Sequence, residues 1–473
     1  MAAGNSAKTI EFLRIGNPWL VGKNVNRVVP IYVLHNLLEA DFERTKSLQA
    51  IKHLVFDAGK ALADGLSPRV DVGEQDYADL QDTTFGLLAP ERRVFRDKKG
   101  GGAGKHGSLF PLVGGLVSPS ASDDGLGRRV RALMEGHNTD WQERLCNLLV
   151  PQVSHDPATS FAFSLLGGTA GKISKKEFKR PRKRLGGLDG ACAELIDNLI
   201  FSTGDARRVP IIRRIASGAY LVSILRMVVG PLADSGGDLP LVLVYCGLPP
   251  GGASEPLVRA ASKSFSNWVG ESWNACARCM FDSLSNAPTL PGAKRHEKVR
   301  QQVHHALAGR LEGRQKELEG VIEALGPLFE KANLSLAWCK EAMESDVSGF
   351  AKPELARRVR SLGANIGFAG PDRGLKPRLT LDTPLLGVLV RGIVGDGTME
   401  LGEFVSVVAQ RFGLVLGLGN SDDIADKMGS LGSEGFDIYE LLVLNQELLR
   451  TRLLRAGLAR SYSDSHTEVF CNV

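Results

Sequence analysis

The run Leu239–Cys246 (LPLVLVYC) restricts the folds open to this 473-residue chain more than any other segment. Its apolar residues are nearly continuous, with Gly236-Gly237-Asp238 before it and Gly247-Leu248-Pro249-Pro250-Gly251-Gly252 after it. Such a run, bounded by turn formers, reads as a strand buried on both faces, so other elements must cover both sides of it. The rest of the chain is dominated by helical spacing. The expected fold class is therefore mainly α with a small α/β portion.

Leu188 to Asp234 reads as long helical runs interrupted by glycines and by Pro210, and Ala260 to Ser285 is helical again. From Val29 to Leu66 a short apolar segment precedes a helix with Leu48, Ile51, Leu54, Val55, Ala58 and Leu62 on one face. His296 to Leu325 carries Val299, Val303, Leu307, Leu311, Leu318, Ile322 and Leu325 about a turn apart. A chain this long exceeds a single core, so several domains are expected. The expected division is an N-terminal mostly helical domain over 1–170, a basic linker or loop over 171–187, a central helical domain with one buried strand over 188–365, and a last domain over 384–473. The stretch Ile366 to Pro384, rich in Gly, Pro and Arg, is read as the boundary before that last domain.

Within 384–473 the expected helices are Leu385–Val394, Met399–Phe412, Ser421–Leu431 and Phe436–Ala456, with Gly457 as a stop. Leu458–Ser463 and Thr467–Val473 can then pair as a hairpin. Helices followed by a hairpin are the order of a winged helix, whose last helix can enter a groove while the hairpin touches backbone. Arg450, Arg452, Arg455 and Arg460 supply a basic end to it. Many winged helices serve protein contact alone, so the element order does not decide the partner.

Composition excludes wholesale disorder, with 43% hydrophobic and 23% charged residues. A net charge of +5 is too small to imply nucleic acid, so the distribution must decide. Lys172 to Arg184 (KISKKEFKRPRKR) places Lys172, Lys175, Lys176, Lys179, Arg180, Arg182, Lys183 and Arg184 against the single acid Glu177. Clusters of this kind neutralise phosphates without reading bases, so these eight residues and the four C-terminal arginines are the candidate DNA contacts. The alternative is a solvated charge run at a domain edge. No signal peptide and no apolar run of membrane length is read, and seven scattered cysteines do not resemble a disulfide framework. A cytoplasmic protein with reduced thiols and no membrane partner is expected.

No cofactor, metal or complete catalytic site is expected. Gly100–Lys105 (GGGAGK) departs from a phosphate loop because Lys99 holds the first glycine position and His106 the Ser/Thr position. Gly395–Phe404 (GDGTMELGEF) resembles the second half of a calcium loop, but Gly392 and Val394 fall where early carboxylates belong, so a tight turn feeding a helix near Met399 is expected instead. Cys276 and Cys279 lack a second pair of zinc ligands, and Arg300 stands where His296-Glu297 would need a second histidine. His304 and His305 are adjacent, which denies them one helix face. Asp372 with Lys376 lacks the apolar strand that a metal-dependent nuclease would place between them.

The succession Pro384-Leu385-Leu386, Gly397 to Phe404, Arg411-Phe412-Gly413-Leu414, Leu453-Leu454-Arg455-Ala456-Gly457-Leu458 and Ser463-Asp464 resembles the C-terminal winged-helix-like region of accessory proteins in bacterial anti-phage defence islands. Some of these accompany DNA phosphorothioation-dependent restriction, and others accompany motor ATPases of the HerA type. The likeness extends more faintly to Leu239–Cys246 and the Ala260-Ala261-Ser262 helix. It implies a non-catalytic DNA-associated subunit whose partners are DNA and the other subunits of a defence complex, with a motor ATPase among the candidates. A scaffold without DNA contact and a cryptic metal-dependent nuclease are the competing expectations.

Overall fold

The computed structural model describes residues 14, 17–21, 28, 30, 33–34, 37, 125–137, 140–141, 144–145, 185–201, 208–234, 238–247, 255–285, 355–370, 376–420, 423–429, 437–462 and 466–471. The basic segment 172–184, the glycine-rich loop at 99–106, the helices expected over 48–62 and 296–325, and the histidines at 296, 304 and 305 lie outside them. The described residues are mostly helical with two small sheets. Two compact units divide the chain. One takes Met1–Arg27, Gly186–Leu195 and Tyr220–Asn472, and the other takes Val28–Leu185, Ile196–Ala219 and Val473.

In the second unit, α1 (Leu126–His137) buries Leu126, Val130, Leu133 and Met134, a stripe at helical spacing. Arg131 is buried beside it, with Nε 2.7 Å from Glu135 Oε1 and Nη1 donating to the Leu37 carbonyl at 3.3 Å. Both partners are needed, since a buried guanidinium left unpaired is costly.

Next along the chain come α2 (Gly187–Phe201), α3 (Arg208–Val228) and α4 (Gly230–Asp234). Pro210 does not interrupt α3. It sits in the first turn, where the missing N–H has no intrahelical partner to lose.

The first unit is built on β1 (Val242–Tyr245), all four residues of which are buried as the apolar run requires. After α5 (Glu255–Ser285) and a helix over 355–364, three strands join the sheet: β2 (Ala369–Gly370), β3 (Arg378–Thr380) and, further on, β5 (Leu414–Val415). The order is β2-β3-β1-β5, with β1 parallel to both neighbours and β2 antiparallel to β3. Val244 faces Leu379 and Leu243 faces Val415 in register. The stretch read as a boundary, 366–384, thus holds two strands. Its Gly, Pro and Arg content hid segments too short for any alternation to show.

Between β3 and β5 lie α6 (Thr383–Val394), β4 (Thr398–Glu400) and α7 (Leu401–Phe412); after β5 come α8 (Asp423–Lys427), α9 (Ile438–Arg455), β6 (Ala459–Ser461) and β7 (Thr467–Phe470). The hairpin expected after Gly457 is present as β6 and β7. The turn expected to lead straight into a helix at Met399 instead contains β4, and the helix starts at Leu401. β4 is three residues long and pairs antiparallel with β7, Met399 facing Val469, so its partner lies too far along the chain for local periodicity to reveal it. The resulting three-stranded sheet runs β4-β7-β6. One core cluster packs helices against the four-stranded sheet: Leu243 and Tyr245 of β1 pack with Leu257 and Ala261 of α5, Ile424 and Met428 near α8, and Ile438, Leu441 and Leu442 of α9.

Candidate functional site

The sequence of α9, IYELLVLNQELLRTRLLR, has more apolar residues than one helix face can bury. Ile438, Leu441, Leu442, Leu449 and Leu453 take the inner stripe together with Asn445. Asn445 is 0% exposed and is the centre of that stripe. Its Nδ2 donates to the carbonyls of Val244 at 2.8 Å and Leu416 at 2.9 Å, while its Oδ1 accepts from the Cys246 amide at 2.9 Å. One side-chain amide thereby continues the pairing of β1 and β5 past the point where the strands end. Gln446 accepts from the Gly419 amide at 3.0 Å, and Arg452 donates to the Cys246 carbonyl at 3.2 Å. Buried backbone groups at a sheet end need such partners, and a helix side chain supplies them here.

The four C-terminal arginines differ in their surroundings. Arg450 ties α9 to the hairpin, with Nε 3.0 Å from Thr467 Oγ1 and Nη2 2.9 Å from Ser461 Oγ, and also pairs with Glu447 at 3.4 Å. Arg452 is spent on β1 as described. Arg460 lies on β6 with its guanidinium 5.5 Å from the Phe470 ring centroid. Arg455 is exposed at the end of α9.

The outer face of α9 exposes Glu440, Val443, Leu444, Glu447, Thr451, Leu454 and Arg455, with Tyr439 at its margin. The large hydrophobics exposed among the described residues are Tyr439, Val443, Leu444 and Leu454 on this helix and Tyr462 on the adjoining hairpin. The candidate DNA contacts drawn from the sequence included Arg455 alone of this face. Its signal was the surplus of apolar residues over 438–454, which a single buried stripe cannot absorb.

A half-open cleft of about 660 Å³ lies at the start of α2, bounded by α3, α4, α7 and α8. Arg226 forms its floor, buried, with Nε 3.0 Å from Asp189 Oδ1 and Nη2 3.1 Å from Asp234 Oδ2. Arg411 at the rim is held by Glu194 at 2.9 Å. Burial pushes the Asp189 carboxyl above its usual range, an effect that Arg226 opposes. The guanidinium is thus already matched by two carboxylates within the fold.

The remaining sequence motifs are placed as follows. Asp396 lies 3.6 Å from Arg391, and Glu400 caps α7 by accepting from the Glu403 amide at 3.0 Å, so these carboxylates shape a turn and a helix start. Cys276 is buried against the Asn17 amide at 3.2 Å, and Cys279 points its Sγ at the Pro231 carbonyl at 3.6 Å. Burial pushes the Cys276 thiol up to about 12. Lys376 enters β3 paired with Glu255, whose carboxyl that contact lowers. Among the described residues no group of three His, Cys, Asp or Glu is placed to hold a metal ion, and no helix is long and apolar enough to cross a membrane.

No protein-family model, curated protein or solved structure matches the chain.

Proposed function

We propose that this chain is a non-catalytic, cytoplasmic adaptor of a bacterial defence or restriction assembly, in which residues 384–473 form a winged helix given over to protein contact. Two features support the fold part of the reading. The order α6-β4-α7-α9-β6-β7, with β5 and α8 inserted between α7 and α9, and the strand order β4-β7-β6 follow the helix-strand-helix-helix-strand-strand plan of that domain, with the last strand between the other two.

The observation that carries the functional part is the outer face of α9, the position of the groove-reading helix in a DNA-binding winged helix. Such a helix presents donors to base edges and phosphates. This one presents Val443, Leu444 and Leu454 with the acids Glu440 and Glu447 and one arginine, Arg455, while Arg450 and Arg452 donate hydrogen bonds within the fold. Acidic side chains are repelled by a phosphate backbone, and exposed apolar ones gain burial against a protein.

The charge run Lys172–Arg184 supports a second reading, that the same adaptor grips DNA through that segment. If about four of its eight cations meet phosphates, the logarithm of affinity falls with the logarithm of salt at a slope near roughly −3 to −4. Changing Lys175, Lys176, Lys179, Arg180, Arg182, Lys183 and Arg184 to Glu in the full chain is expected to abolish that salt-dependent binding, followed by fluorescence anisotropy at several salt concentrations. Leu444→Asp with Leu454→Asp is expected to leave DNA affinity unchanged and to release protein partners that copurify when the neighbouring genes are co-expressed. Loss of DNA affinity in this pair would overturn the protein-contact reading.

A further inference from the structure

We propose that the outer face of α9 pairs with the same face of a second copy of this chain, antiparallel about a two-fold axis. The inference rests on the protein-contact reading above and names the partner.

The face is polar in a directional sense. Its acids, Glu440 and Glu447, occupy the first half of the helix, its arginine, Arg455, closes the second half, and Val443, Leu444 and Leu454 fill the space between. A parallel pair would stack acid on acid and arginine on arginine. An antiparallel pair sets Glu440 of each copy across from Arg455 of the other, two complementary contacts about 22 Å apart along a helix rising 1.5 Å per residue. The same arrangement lays Leu444 of each copy over the Thr451–Leu454 turn of the other. Glu447 lies near the dyad, where two unneutralised carboxylates would repel, and it already carries Arg450 at 3.4 Å. The pairing is isologous, so it closes at two copies and leaves no open end. It also opposes the two helix dipoles. At either end the Tyr439 turn of one copy meets the hairpin of the other, where Tyr462 is 60% exposed and tilted against His466 at 5.8 Å between ring centroids.

The inner face of α9 keeps the outer one fixed. Asn445, Gln446 and Arg452 hold the helix on the four-stranded sheet, and Arg450 holds the hairpin strands on the helix, so helix and strands present a preformed surface. Little ordering remains to oppose association.

Sedimentation equilibrium of the full chain at micromolar concentration tests this. The wild-type chain is expected to show a reversible monomer–dimer equilibrium. Glu440→Arg alone, or Arg455→Glu alone, is expected to raise the dimer dissociation constant about tenfold, because each creates two like-charge contacts. Carrying both exchanges in one chain restores opposite charges at both ends and is expected to bring the constant back to within about threefold of wild type. Leu444→Asp with Leu454→Asp is expected to weaken the dimer about 100-fold. All these positions are exposed, and circular dichroism of each variant reports whether folding is intact.

A wild-type chain that sediments as a monomer throughout, or a double exchange no better than either single one, overturns the pairing. If the chain is monomeric and the Leu444/Leu454 pair still releases a copurifying protein, self-pairing fails while the protein-contact reading stands. If that pair alters DNA affinity instead, the reading itself fails.

Discussion

Asn445 shows how much one residue can hold when its chemistry matches its surroundings. Its amide supplies two donors to carbonyls and one acceptor to an N–H, all buried. Asn445→Leu is expected to destabilise the fold by about 3 kcal/mol in urea denaturation, since it leaves those backbone groups without partners. Asn445→Asp, nearer in shape, is expected to cost more, because it turns a carboxylate oxygen toward a carbonyl and buries a charge. Cys276 and Cys246 give a second test at this scale. Burial pushes both thiols up to about 12, so at pH 8 both are held in the neutral form. Neither is expected to react with a thiol reagent in the native protein, and both are expected to react once it is unfolded, as mass spectrometry of the labelled peptides will show. The sign of the linkage follows. The fold favours the neutral thiol, so this contribution is complete below the ordinary thiol value and is lost as pH rises through the folded one.

At the scale of elements, length decided what the sequence could reveal. β1 was legible because eight apolar residues between turn formers admit few alternatives, and α6, α7 and α9 were legible from their spacing and the glycines that end two of them. β2, β3, β4 and β5 run only two or three residues each, and each depends on a partner remote in the chain. No local pattern encodes that. The candidate site was half-legible for a related reason: Arg450 and Arg452 look in sequence like surface cations, whereas their hydrogen bonds to Ser461, Thr467 and Cys246 exist only once hairpin and sheet are assembled. Gly413 marks a tight junction between elements. It ends α7 with φ 70° in the left-handed region and lets β5 begin at once, with the Pro240 carbonyl where a Cβ would stand. Gly413→Ala is expected to cost about 2 kcal/mol or more, measured by thermal or chemical denaturation, because strain and close contact add.

Across the whole molecule, the parallel sheet joins segments that the chain delivers far apart. β1 waits for β3 and for β5 before its hydrogen bonds are complete, an arrangement that places the rate of folding on distant pairings. A chain ending at residue 383 would lose β5, α7 and α9 together. It is expected to lack a cooperative unfolding transition in calorimetry and to be cut rapidly by protease, where a separable last domain would leave the remainder intact. Open parallel sheets generally receive their ligands in the crevice outside the carboxyl ends of the strands. Here those ends, at Cys246 of β1 and Leu416 beyond β5, are stoppered by Asn445 and Arg452 from the chain's own last long helix. The place where open parallel sheets generally keep their chemistry is plugged from within, and the same plug turns its other side outward, so the helix that seals one opportunity is the helix that offers the other.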